Sequence, residues 1–415
     1  MRIVLNRLRL RLLHRGGLPL SANSKFQVRD CASQVRGVQS VTVPCRSNGS
    51  IQLSILPPSS SSSSTSPILL YLPAGPLLPD HARPDHDAQT VAALSAASGA
   101  TLVQVNYRLA KDHRYPTPVH DLLNAWDWVL QNLVDHSSRL GVCGELLGAN
   151  LATTLALTEC HEQSPGIAAA ALNNPLVDWI LPPDLVRREE DADNDDGDGD
   201  GDHRFLDHLQ DLANVSITTP GRPGRRKHRS SWDLHGANQA LPTAAITRAR
   251  AAFFHNQDGY FDSFASPIHF LRTPGLAFTA PPKTDDQLAS EWDEDDSITS
   301  PYHGLRASVE PRRRSYRMYP PTGAGLRLPL LRVTAGESSP LRDQADELVR
   351  LVQRSVKHDN DGSRDEALSR CAPLSLRPGV GLWSGAHRAR DWRDEVEAVG
   401  SWFRRVLAQD DDDGK

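Results

Sequence analysis

The sequence predicts an α/β fold with a mostly parallel central sheet and helices on both faces, on three grounds. Apolar runs of strand length, such as "PILLYLPAGP" at Pro67–Pro76, are continuous rather than alternating, as in strands buried on both faces. Segments with apolar residues at helical spacing, such as "HDLLNAWDWVLQNLV" at His120–Val134, come between them. Glycine and proline punctuate the junctions, and the repeated β-α-β order implies right-handed crossovers. A chain of 415 residues can bury one large core of this kind and still carry insertions.

Each element follows in order. The first 39 residues are a basic segment: no acid precedes Asp30, and Arg7, Arg11 and Arg15 fall on one helical face. This reads as a basic first helix of a cytoplasmic protein, or as a mitochondrial presequence. "SVTVPCRSNGSIQLSILPP", Ser40–Pro58, alternates on both sides of a Ser-Asn-Gly turn and predicts a hairpin. The serine run Ser59–Ser64 is expected to be a flexible loop into the strand that follows. Buried strands are expected at Thr101–Val105 and Arg139–Cys143, flanking the helix at His120–Val134. The stretch "RLGVCGELLGANLATTLAL", Arg139–Leu157, reads as strand, tight glycine turn and amphipathic helix, and "IAAAALNNPLVDW" supplies the next strand.

The rhythm then stops. Arg187–His203 is an acid and glycine repeat, the segment from Gly221 is equally biased toward base, and order is expected to resume near Ala244. The α/β pattern returns with a strand ending at Gly336, a helix at Leu341–Ser355, a strand at Gly379–Trp383 and a last helix at Asp394–Leu407. The expected organisation is a basic segment 1–39, a first core part 40–180, a cap and low-complexity insertion 181–259, a second core part 260–407 and an acidic tail 408–415.

Composition narrows the function classes. A net charge of −5 and a pI near 6.3 provide no basic field for nucleic acid. Five scattered cysteines with no C-x-x-C pair fit reduced thiols in an intracellular protein, with neither disulfide frame nor zinc site. No apolar run is long enough to span a bilayer. Asp196, Asp198, Asp200, Gly201 and Asp207 echo a calcium loop, but His203 and Asp207 depart from its pattern, so neither metal nor cofactor is expected.

"NYRLAKDHRYPTPVHD" at Asn106–Asp121, the turn at Gly144–Ala149, "GESSPL" at Gly336–Leu341, "GAHRA" around His387 and "YFDSFASPIHFLRTPG" at Tyr260–Gly275 together resemble the hormone-sensitive-lipase-like branch of the α/β-hydrolase fold, also called the fold-3 family of esterases and lipases. The resemblance implies an α/β-hydrolase fold with a helical cap and a serine, histidine and aspartate triad. It places Leu146 at the nucleophile position, Ser339 at the acid position and His387 at the retained histidine. Ester hydrolysis on this fold needs an exposed hydroxyl, an imidazole to take its proton and a carboxylate to orient that imidazole. An isobutyl group cannot attack a carbonyl, and a hydroxyl brings no charge to stabilise imidazolium. The oxyanion loop aligns at Pro73–Pro76, where Pro76 has no N–H and Ala74, Gly75 and Leu147 remain as donors.

Cys143 is the nearest alternative nucleophile, but its place on the strand predicts a buried, inert thiol. The expectation is a non-catalytic relative of carboxylic-ester hydrolases that binds a small apolar ligand or a protein partner. An ester hydrolase with an unorthodox site around His387 is the alternative, and a scaffold that binds a protein partner through its insertion 187–230 is a third.

Overall fold

The structure is a computed structural model that describes residues 37–45, 49–58, 66–75, 84–110, 112–135, 138–162, 165–182, 229–274, 276–278, 309–311, 315–359, 368–385 and 387–408. The basic N-terminal segment as far as Arg36, Cys31, the serine run, Pro76, the insertion up to His228 with its calcium-like spacing, and the acidic tail lie outside them.

Chain order runs through β1 (Gln39–Pro44), β2 (Ser50–Leu56), β3 (Ile68–Leu72), α1 (Pro84–Ser98), β4 (Thr101–Asn106), α2 (Thr117–Asn132), β5 (Leu140–Glu145), α3 (Leu147–Thr158) and β6 (Ile167–Asn173). It continues with α4 (Ser231–His235), α5 (Thr243–Phe253), β7 (Leu276–Phe278), β8 (Val309–Pro311), β9 (Leu330–Gly336), α6 (Arg342–Asp359), β10 (Ser375–Arg377) and α7 (Trp392–Ala408). Eight strands make one sheet in the order β1-β2-β4-β3-β5-β6-β9-β10. Its first two pairings, β1 with β2 and β2 with β4, are antiparallel, and every later one is parallel.

Residue type explains this division. In β2 the side chains of Ile51, Leu53 and Ile55 are buried and alternate with exposed or half-buried neighbours, as in a strand with one wet face. In β3 and β5 every residue is buried, because helices cover both faces. On one face, α1 and α7 pack through Leu94, Val396, Val399 and Phe403. On the other, α2, α3 and α6 pack through Trp126, Leu151, Leu155, Leu348 and Val352. The buried residues of α7 recur every three or four positions, so a helix of strongly mixed composition still presents one continuous apolar face.

Two expectations are corrected. Gly379–Trp383 is not a strand: β10 ends at Arg377, and Gly379, Gly381 and Gly385 take φ of 66, 65 and 82°. Those torsions lie outside the β region and turn the chain into a loop. Order also resumes before Ala244, in α4, whose N-cap Ser230 accepts a hydrogen bond from the Asp233 amide.

The chain leaves the sheet after β6 and returns through two 3₁₀ turns, Gln257–Phe261 and Pro267–Phe270. The two ends are pinned together where Arg272, 1 % exposed, meets Asp178, 3 % exposed, at 2.6 Å. The same guanidinium reaches Glu347 of α6 at 2.9 Å. His269 lies 3.6 Å from Asp178, and its burial lowers the imidazole pKa against the pull of that carboxylate. Among the described residues no helix is long and apolar enough to cross a membrane, and the four described cysteines are free and buried. Arg272→Ala is expected to lower unfolding stability by about 3–5 kcal/mol in urea titration, because Asp178 would be left as an unpaired buried charge.

Candidate functional site

The sharpest backbone feature in the described chain lies between β5 and α3. Leu146 takes φ 52° and ψ −112°, a conformation that costs a leucine of the order of 1–3 kcal/mol. Tight contacts on either side hold it there. A Cβ on Gly144 would sit 2.5 Å from the carbonyl carbon of Gly148, and one on Gly148 would overlap the carbonyl oxygens of Leu72 and Pro73. Only glycines allow the turn to pass this close to β3. The Leu146 N–H donates to the Asn173 carbonyl at 3.0 Å, and its own carbonyl accepts from Asn150 N–H at 3.0 Å.

The Leu146 side chain is fully buried. It belongs to an apolar cluster with Ala74, Leu176, Trp179, Phe253 and Leu382, drawn from the loops after β3 and β6, α5 and the loop after β10. Trp179 stacks on Phe253 at 5.3 Å, and Phe254 meets both rings edge-on. Side chains of α4 and α5 thus join the apolar cluster around the turn.

Ala74, Gly75 and Leu147 come together beside the turn. Gly75 has φ 74°, and a Cβ there would lie 3.2 Å from the Leu147 side chain and 2.8 Å from the Tyr107 hydroxyl. That hydroxyl donates to the Pro73 carbonyl at 2.7 Å and fixes the loop. Tyr107 and Arg108 open the "YRLA" stretch. The Arg108 backbone and guanidinium both bond the buried Asp121 carboxylate, at 2.9 and 2.6 Å, which ties that stretch to α2.

The remaining expected positions are not brought together in the same way. Ser339 is fully buried, and its hydroxyl accepts the Leu341 N–H at 3.2 Å in the turn that enters α6. The His387 side chain is exposed and shares no hydrogen bond with Ser339 among the described residues. Cys143 is buried beneath the turn, where desolvation pushes its thiol far up and leaves the reactive thiolate unpopulated.

The alpha/beta hydrolase fold family model matches residues 81–259, the stretch that holds α1, the "YRLA" element, the glycine turn and the cap helices. The fold is that of the α/β hydrolases, and this match supports the hormone-sensitive-lipase-like branch. The chain's curated relatives include an ethyl acetate hydrolase of Pseudomonas putida, 39 % identical over 66 residues, and a probable carboxylesterase 9 of Arabidopsis thaliana, 38 % identical over 77 residues. Those alignments cover 15 % of this chain and span only 21 % and 24 % of the two relatives. Among solved structures it is similar to carboxyl esterase 2 of Tuber melanosporum, with TM-score 0.52, 16 % identity and coverage of 94 % and 90 % of the two chains. It is also similar to an esterase of Pyrobaculum calidifontis, with TM-score 0.53, 18 % identity and coverage of 90 % and 87 %. At such identities these structures speak for the fold.

Sequence reasoning missed one residue of this turn. Glu145 immediately precedes Leu146, is fully buried and accepts hydrogen bonds from Trp383 N–H at 2.6 Å, Ser384 N–H at 3.1 Å, the Ser384 hydroxyl at 2.5 Å and the Asn173 side-chain amide at 2.9 Å. The available signal was a lone carboxylate at the end of an otherwise apolar strand, since such a group needs built-in donors. Burial lifts its carboxyl to about 7 against the pull of those bonds, and nearby Asp87 adds to the rise. The torsion at 146 makes its own prediction: in urea unfolding, Leu146→Gly is expected to be less damaging than Leu146→Ala by about 1 kcal/mol or more, because glycine releases the strain that alanine retains.

Proposed function

We propose that this chain is a non-catalytic α/β hydrolase, which uses an esterase-like frame to hold a small apolar ligand or a protein partner without turnover. The observation that carries this reading is Leu146 at the apex of the strained turn, where a hydrocarbon offers no lone pair for attack on a carbonyl. Ser339 at the acid position supports it, since its hydroxyl is used within its own turn. The exposure of His387 supports it too, because among the described residues no carboxylate orients this imidazole, and an unoriented imidazole in water is a poor general base. In well-studied serine hydrolases, losing the nucleophile alone costs roughly 10⁶ in turnover. The apolar cluster around Leu146 is of the kind that takes up hydrocarbon rather than water.

Purified protein mixed with a fluorophosphonate probe is expected to stay unlabelled, and to hydrolyse p-nitrophenyl acetate no faster than its own His387→Ala variant. A covalent adduct, or turnover that disappears on His387→Ala, would instead establish a working site built around that histidine. A short alkyl methyl ketone resembles an ester and cannot be hydrolysed, so it tests the binding half: a rise in Tm is expected if an apolar ligand is the occupant.

A further inference from the structure

Glu145 is not one of the three groups that ester hydrolysis on this fold needs. Three of the four hydrogen bonds that Glu145 accepts come from one loop, through Trp383 N–H, Ser384 N–H and the Ser384 hydroxyl. That loop, Gly379–Gly385, has glycines of positive φ at both ends and a third at Gly381. Its carbonyls accept further hydrogen bonds: Gly379 from Ser338 N–H at 2.8 Å, Val380 from the Asn174 amide at 2.9 Å, Gly381 from the Asn173 amide at 2.9 Å, Leu382 from Ala389 N–H at 2.8 Å and Gly385 from Arg388 N–H at 3.4 Å. The loop contributes Val380 and Leu382 to the cluster around Leu146, and Trp383 to the layer formed by α1 and α7.

The electrostatics of the spot are one-sided. Among the described residues no cation pairs with Glu145, and the titratable groups near it are Asp87 of α1, Tyr71 of β3 and Cys143 of its own strand. An ionised Glu145 is therefore a buried negative charge among acids, with hydrogen bonds as its compensation. The neutral form fits the same cradle. A serine hydroxyl can accept as well as donate, so the 2.5 Å contact with Ser384 survives when its direction is reversed.

We propose that Glu145 is a proton-linked latch on Gly379–Gly385: the neutral carboxyl keeps the loop docked, and the ionised one favours a lifted loop that hydrates the charge and uncovers the apolar cluster around Leu146. The sign follows from linkage. Docked, the carboxyl is raised from 4.5 to about 7, whereas lifting the loop returns it toward water. A group raised in this way stabilises the docked state fully below 4.5, and that stabilisation is lost as the pH rises through about 7. Asp87, itself pushed up to about 6 by burial, carries charge by then and adds repulsion. The latch is independent of whether the chain turns over an ester.

Hydrogen exchange on the full chain, corrected for intrinsic rates, tests it. Between about pH 5 and about pH 8, peptides covering Gly379–Gly385 are expected to lose protection roughly tenfold to a hundredfold, while peptides from α2 do not. Glu145→Gln, neutral at every pH, should abolish that dependence, and Asp87→Asn should move its midpoint to lower pH. Loop protection that is flat in the parent protein, or equally pH-dependent in Glu145→Gln, overturns the latch. Should the glutamine variant fail to fold, the Asp87→Asn midpoint decides, because an unmoved midpoint assigns the titration to another group and overturns the latch as well.

Discussion

The contact between the first turn of α3 and the end of β3 governs the rest of the molecule. With the backbone at Gly148 pressed against the Leu72 and Pro73 carbonyls, the chain leaving β5 has a single residue in which to reverse, and that residue takes a left-handed torsion whatever its side chain. Leucine is a poor choice on backbone grounds. It is a good one on burial grounds, since full burial of a leucine contributes about 1.5–3 kcal/mol, the same size as the strain. The two effects roughly cancel, so a turn shaped for presenting a reactive group persists with a hydrocarbon at its tip.

The turn separates two chemically opposite environments. Above it lie Leu146, Trp179, Phe253 of α5 and Phe254 just after it. Below it a buried polar web crosses the C-terminal ends of the central strands. The Thr334 hydroxyl donates to the Asn173 side-chain carbonyl at 2.8 Å, Asn173 bonds Glu145, and Gly336 N–H donates to the Asn174 side chain at 3.1 Å. Strands that end at staggered heights leave main-chain groups unpaired, and these asparagines supply partners where a purely apolar layer could not.

How far all this could be read from the chain depended on the distance over which each feature is determined. The parallel strands and the long C-terminal helices were legible because continuous burial and helical periodicity are local properties of Ile68–Leu72 or of Val396, Val399 and Phe403. The glycine turn was legible for the same reason, as two glycines four residues apart on either side of Leu146. Gly379–Trp383 misled because a glycine-interrupted apolar run looks like a strand until the torsions are known. A lone acid at the end of an apolar strand marked Glu145 as needing donors but not which ones, since its partners Trp383 and Ser384 lie 238 and 239 positions away. The exposure of His387 likewise depends on how a loop folds back rather than on its neighbours in the chain.

The pairing of Asp178 with Arg272 joins positions 94 residues apart at one buried point. None of the described residues between them belongs to the eight-stranded sheet, and the entropy of closing a loop grows only with the logarithm of its length, about 0.6 kcal/mol for each doubling. Relatives could therefore differ greatly in the number and kind of residues carried between these anchors while keeping the same sheet. The fold holds one stretch of itself open to evolutionary experiment at small thermodynamic penalty.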